Sequence, residues 1–150
     1  TTSGGGDWIN NTEPTDSVFT VGEYYTNWTG RSFIAYCFAE VAGFSKFGSY
    51  TGNGNAAGPT INCGFEPAFV MIKASSNTGL WAMHDNKRGN YNNGDIYARL
   101  SAQDSAAEYD GYPTDKYVEF SATGFQVTTA SNSWNGIGRT YIYMAFANQF

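Results

Sequence analysis

The chain has 150 residues, a formal net charge of −5 at pH 7, and only eight lysines and arginines, which are scattered along it. This distribution argues against a surface that neutralises nucleic-acid phosphates, and no apolar run approaches the roughly 20 residues needed to cross a bilayer as a helix. Aromatic residues make up 17% of the chain and glycine occurs 18 times, a composition that favours short strands joined by tight turns.

The first 42 residues predict a loop followed by two strands. Residues 1–16 are rich in Gly, Asn, Thr and Asp, which is typical of loops. A strand is predicted to begin at residues 18–21. Residues 32–39 read SFIAYCFA, with apolar side chains at both odd and even positions. This pattern predicts a central strand that is covered on both faces.

The two cysteines are too few to form a disulfide framework. Cys37 lies within the second predicted strand, and we interpret it as a small core residue. A Cys37–Cys63 bridge is the alternative, and it requires the two Cα atoms to lie within roughly 7 Å.

From Gly43 onward the pattern predicts a complete module of short strands. The predicted strands are 44–50, 68–73, 80–84, 96–100, 118–121, 125–127 and 140–147, and Ser105–Glu108 is a candidate helical turn. Seven or eight short strands at spacings of about ten residues predict an antiparallel β-sandwich of jelly-roll type.

One stretch of the sequence occurs twice. Residues 19–39 read FTVGEYYTNWTGRSFIAYCFA, and residues 125–147 read FQVTTASNSWNGIGRTYIYMAFA. The offset is 106 before Trp28 and Trp134 and 108 after them, and we interpret both tryptophans as structural. We therefore predict that residues 43–150 form one complete repeat unit. Residues 1–42 then form the C-terminal strands of a preceding unit, because repeats at a fixed period indicate a modular array.

The sequence offers little that points to catalysis. His84 is the only histidine, and Asp85 follows it directly, so on a strand the two side chains point to opposite faces. The sequence contains no GxSxG, no P-loop and no GxGxxG before a helix. One histidine and two cysteines give no zinc-ligand spacing. We expect no enzymatic activity, no cofactor and no metal.

Two polar loops have alternative interpretations. Asp85 and Arg88 either bind a polar ligand or form a turn in which the aspartate accepts backbone hydrogen bonds and pairs with the arginine. A second loop carries four acidic residues, whose spacing fits no EF-hand, so we interpret it as a solvated surface rather than a calcium site. These are Asp104, Glu108, Asp110 and Asp115.

Tyr91, Tyr109 and Tyr112 lie in polar loops and are the candidate ligand-binding residues. Exposed aromatic rings stack on sugar faces or anchor protein contacts. The alternative is that these rings pack within their own loops.

Five segments occur in a fixed order, namely GSYTGNG, NCGFEPAFVMIK, WAMHDNKRGNYN, SATGFQV and GRTYIYMAFA. This order resembles a repeat domain of structural proteins of tailed bacteriophages, notably cyanophages. The resemblance covers residues 43–150, and residues 8–42 resemble the end of a previous repeat. It implies a non-catalytic protein on the virion surface, such as a tail fibre, tail appendage or head decoration, with other virion proteins as partners. It carries over no catalytic residues.

These observations leave three hypotheses for function. The first is a virion structural protein that forms a homo-oligomer, most simply a trimer, because strands without partners in their own unit need a neighbour. The second is a carbohydrate-binding module that recognises host surface glycans. The third is a polysaccharide-degrading enzyme, which requires two carboxylates about 5–10 Å apart in a cleft.

Overall fold

The structure is a computed structural model that describes residues 9–22, 25–88, 95–109 and 116–148. The chain divides into two units, Thr1–Phe38 and Ala39–Phe150. Within the described ranges the chain forms no helix, and so none that is long and apolar enough to span a membrane.

The second unit is an antiparallel β-sandwich, as the sequence predicts. Its described residues form nine strands in two sheets, ordered β1-β9-β3-β4-β6 and β2-β8-β7-β5. The strands are β1 (Ser45–Thr51), β2 (Thr60–Asn62), β3 (Pro67–Ala74), β4 (Trp81–Asp85), β5 (Asp95–Ile96), β6 (Leu100–Ser101), β7 (Val118–Ser121), β8 (Gly124–Val127) and β9 (Thr140–Ala147).

Strand β9 is an interior strand of the five-stranded sheet, because it pairs with β1 along one edge and with β3 along the other. Its side chains alternate, and Tyr141 and Ala145 point into the core and are fully buried. On β3 the same alternation buries Val70 and Ile72.

The core lies between the two sheets. Phe125 and Val127 of β8 are fully buried in it. Tyr141 stacks on Tyr50 with ring centroids 5.0 Å apart, and the Phe125 ring meets Tyr143 edge-on at 5.4 Å. Aromatic pairs of this kind add stability beyond the area that they bury.

Two predictions within this unit were wrong, and one strand was not predicted. The predicted strand 96–100 is two short strands, because β5 pairs with β7 in one sheet whereas β6 pairs with β4 in the other. The chain therefore crosses between sheets within this stretch, a change that alternation alone does not indicate. Ser105–Glu108 forms no helical turn. Strand β2 is only three residues long and was not predicted.

The strand predictions for the first unit were also wrong. Residues 18–21 and 32–39 form no strand, and residues 31–40 are exposed throughout. Cys37 is exposed rather than in a core, Cys63 is buried, and both are free thiols. These residues have the right pattern for a strand, but a strand also needs a neighbour to pair with.

Candidate functional site

The outward side of the five-stranded sheet is apolar along most of its width. Register places Phe47, Met144, Met71, Met83 and Leu100 side by side across all five strands. Met144, Met71 and Met83 alternate with buried residues along their strands, so they lie on the side away from the core. We call this surface the outer face. It comprises Phe47, Phe69, Met71, Lys73, Trp81, Met83, Asp85, Leu100, Ile142, Met144 and Phe146, together with the hydroxyl residues Ser45, Ser49, Thr51 and Thr140 at the β1 side.

The composition of the outer face is unusual for a sheet that faces water. A half-solvated antiparallel sheet normally presents polar residues on its open side. Here Ile142 and Trp81 are 42% and 36% exposed. The charged members of the outer face are Lys73 and Asp85. Lys73 Nζ lies 2.6 Å from Ala74 O and 3.4 Å from Asn77 O, and Asp85 accepts the backbone N–H groups of Lys87 and Arg88. Both charges are engaged by the turns that follow their strands, which leaves a largely apolar contact surface.

A groove of about 300 Å³ lies on this surface, lined by Phe47, Met71, Trp81, Ile142 and Met144, with Lys73, Gly48 and Tyr143 completing it. Methionine side chains are flexible and polarisable, so a methionine-rich surface adapts to the shape of a partner. The lining offers few hydrogen-bonding groups, which favours an apolar occupant over a polar small molecule.

His84 is fully buried on the inward side of β4. Trp134 Nε1 donates to His84 Nε2 at 3.0 Å, so the proton resides on Nδ1, which donates to Ala98 O at 3.2 Å. Burial lowers the pKa of His84 to about 4, and the nearby Arg99 contributes in the same direction. The imidazole is neutral, has both nitrogens engaged and lacks access to water, so its role is structural.

Tyr109 belongs to a packed aromatic cluster rather than to an open binding loop. Its ring lies 4.8 Å from the Arg99 guanidinium and meets Tyr117 edge-on at 6.2 Å. Tyr117 in turn stacks on Trp134 at 4.4 Å. Tyr109 is nevertheless 38% exposed. The other two candidates, Tyr91 and Tyr112, lie outside the described residues.

Asp85 and Arg88 form the turn that the sequence offered as one interpretation. Asp85 Oδ1 accepts the backbone N–H groups of Lys87 and Arg88, both at 2.9 Å, and Oδ2 lies 2.5 Å from Arg88 Nε. Partial burial alone raises the pKa of Asp85, but these hydrogen bonds and the guanidinium outweigh it, so the net pKa is lowered. Arg88 Nη1 also pairs with Glu108 at 3.2 Å.

The predicted acidic loop is only partly described. Asp104 accepts hydrogen bonds from Gln103 Nε2 and Ala106 N, and Glu108 faces Arg88. Asp110 and Asp115 lie outside the described residues. Across the described ranges, no three histidine, cysteine or acidic side chains gather as metal ligands would.

Sequence reasoning missed the outer face, although a signal for it was present. Strand β9 reads TYIYMAFA, and both its odd and its even positions are largely apolar. The same pattern occurs at residues 32–39, and there alone it was interpreted as a strand covered on both faces.

A family model for a domain of unknown function, DUF7483, matches residues 1–149. The chain belongs to this family. The match spans both units, so the family includes the first copy of the repeated stretch as well as the sandwich. No curated protein and no solved structure matches the chain.

Proposed function

We propose that this chain is a non-catalytic structural protein of a virion surface, of the tail-fibre, appendage or head-decoration type. The order of the five sequence segments supports the virion assignment, and family membership adds no activity to it. His84 is buried and neutral, which is consistent with a structural role for this part of the protein. Rigid sandwiches with variable surface loops suit proteins displayed on particles.

The single observation that carries the proposal is the outer face. Covering an apolar sheet face is favourable in water, and larger exposed apolar patches mark interaction sites. The two charges on this face, Lys73 and Asp85, are engaged by the adjacent turns, so the face offers little to a charged partner. A matching apolar sheet packed about 10 Å away is the natural complement.

We commit to a second copy of the chain as that partner, in a closed symmetric homo-oligomer. A trimer is the state proposed if the protein is a fibre. The same face in every subunit then turns toward the symmetry axis.

The test compares the oligomeric mass of three chains by analytical ultracentrifugation. The unchanged chain is expected to sediment as an oligomer, and Ile142→Lys as a monomer, because the lysine places a charge in the buried contact. Ile137→Lys is the matched control, since Ile137 is an exposed apolar residue (80%) in a loop away from the sheet. An unchanged chain that remains monomeric, or an Ile142→Lys chain that still assembles, contradicts the proposal.

The virion assignment has a separate test. Gold-labelled antibody against the chain is expected to decorate tails or heads of intact particles in electron microscopy. Particles that are purified free of the antigen rule out a virion protein without bearing on self-association.

A carbohydrate-binding module is the second candidate, and one observation favours it. The ring of Trp81 borders the groove and is partly open, and such rings stack on sugar faces. A glycan array is expected to give hits that Trp81→Ala abolishes, or that Tyr91→Ala and Tyr112→Ala abolish if the loops bind. An array without hits removes this candidate.

A further inference from the structure

Residues 15–38 align with residues 121–146. The described part of the first stretch, 15–22 and 25–38, forms no strand, whereas β8 and β9 lie in the second. We call residues 15–38 the first copy. We propose that the first copy supplies the two closing strands of a further β-sandwich module: residues 18–21 take the place of β8 in one sheet, and residues 32–39 insert between strands equivalent to β1 and β3 in the other. Its partner is a module of this same kind that presents those two strands with no strand between them.

The turn at the start of each copy has the same hydrogen bond. In the sandwich, Ser121 Oγ donates to Gly124 O at 3.1 Å at the β7–β8 turn. In the first copy, Thr15 Oγ1 donates to Val18 O at 3.3 Å, and Thr15 N donates to the same carbonyl at 2.8 Å. The offset of 106 aligns these two pairs of residues.

The turn inside each copy is also shared. Arg31 N donates to the carbonyl three residues earlier at 3.1 Å, as Arg139 N does at 3.0 Å. The residue before each arginine is a glycine with positive φ, 75° at Gly30 and 71° at Gly138. The Gly–Arg pair that the two copies share therefore has the same turn conformation in both places, whereas the residues before it differ.

The inward positions of the two copies differ in environment and agree in chemistry. Phe125, Val127 and Tyr141 are fully buried, whereas their equivalents Phe19, Val21 and Phe33 are 47%, 42% and 49% exposed. Cys37, a small residue, takes the place of the buried Ala145. The first copy therefore carries the side chains that a core needs on one side of a strand pair.

The outward positions agree as well. Ile34 and Tyr36, at 81% and 80% exposure, correspond to Ile142 and Met144 on the outer face. A first copy seated in a sheet then presents the same apolar outer face as β9 does. The first copy therefore keeps apolar residues at both its inward and its outward positions, a pattern that a surface loop does not require.

In this sandwich the position between β1 and β3 is already occupied by β9, which pairs with both strands. Register also predicts how the further module must differ. Tyr143 lies opposite Gly48, where an added Cβ falls 2.8 Å from the tyrosine Oη. The first copy has Ala35 at that position, so a strand opposite it accommodates a larger residue than glycine.

The test supplies such a module within the full chain. A second copy of residues 43–114 is inserted between Trp8 and Ile9, the join that the offset of 106 dictates, and amide hydrogen exchange is followed at residues 33–38 by mass spectrometry. These amides are expected to exchange at the unprotected rate in the original chain. After the insertion they are expected to slow by on the order of 100-fold, because strand pairing protects them.

Two variants of the inserted body make the result specific. Ile72→Asp in the inserted copy disrupts its core and is expected to abolish the protection. Gly48→Val in the inserted copy is expected to slow exchange by a further several-fold, because the valine fills the space opposite Ala35. The proposal is overturned if the inserted body stays unfolded, if residues 33–38 remain unprotected, or if the Ile72→Asp body protects them equally.

Discussion

Two regions of this chain have closely related sequences and different structures. Strands β8 and β9 lie within residues 124–147 of the sandwich, whereas residues 18–22 and 25–39, the described part of the first region, form no strand. The turns before and within the two regions nevertheless match. A turn depends only on its own residues, whereas a strand depends on neighbours that lie far away in the sequence. The comparison separates what the repeated sequence encodes locally from what a sheet must supply.

The largest expected effect tests the comparison at equivalent inward positions. Tyr141→Ala is expected to cost about 3–5 kcal/mol of unfolding free energy, because it removes a fully buried ring that stacks on Tyr50. Phe33→Ala, at the matching place in the first copy, is expected to change it by less than about 0.5 kcal/mol. Urea unfolding measures both. A large loss with Phe33→Ala refutes the distinction between the regions.

The same comparison shows how far the sequence goes. Alternation along β3 identified that strand, because period-two patterns are local. The identical pattern at residues 32–39 gave a wrong strand, since no strand in the described structure pairs with it. The outer face escaped prediction for a related reason. Its identity depends on the register across five strands, which only the assembled sheet fixes.

The split of the predicted strand 96–100 has the same origin. Which sheet each half joins is decided by β7 and β4, both distant in the sequence. For the candidate site, sequence reasoning gave the Asp85–Arg88 turn, because Asp side chains accept nearby backbone N–H groups. It could not choose between open and packed positions for Tyr109, whose partners Arg99 and Tyr117 come together only through folding.

A second test uses pH, since the only histidine lies in the sandwich. The pKa of His84 is about 4 in the folded state, against an ordinary value of 6.5 for the unfolded chain. Between pH 4 and 6.5 the unfolded chain therefore binds a proton that the folded chain excludes. Stability is therefore fully present above pH 6.5 and is lost as pH falls toward 4, by about 3 kcal/mol at most. Urea unfolding from pH 7 to 4 measures it.

The control for this test is His84→Gln, which keeps hydrogen-bonding groups and removes the titration. Its stability is expected to be lower than that of the unchanged chain at pH 7 and nearly flat down to pH 4.5. A decline as steep as that of the unchanged chain assigns the pH dependence to other groups. Carboxylates with lowered pKa, such as Asp85, lose their contribution only below about pH 4.

A third test concerns the position where the two copies differ most in size. Gly48→Val is expected to cost about 1–3 kcal/mol, because its side chain meets the ring of Tyr143. Combining it with Tyr143→Ala, the residue that the first copy has here, is expected to cost less than the sum of the two single changes. A double-mutant cycle by urea unfolding measures this coupling, and strict additivity contradicts the register argument.

The smallest expected effect concerns the shared turn. Gly138 and Gly30 both have positive φ, and an added Cβ meets nothing within 4 Å at either. The cost of alanine is therefore conformational alone, about 1–2 kcal/mol for a left-handed residue. Gly138→Ala is expected to lower the unfolding free energy of the sandwich by this amount, because the turn joins strands that must keep their register. Gly30→Ala is expected to leave the sandwich unchanged, because the first copy belongs to the other unit. Urea unfolding measures both losses, and Asn27→Ala is the neighbouring surface control. Equal losses from the two glycine substitutions would mean that the two units unfold as one cooperative structure, which contradicts the prediction.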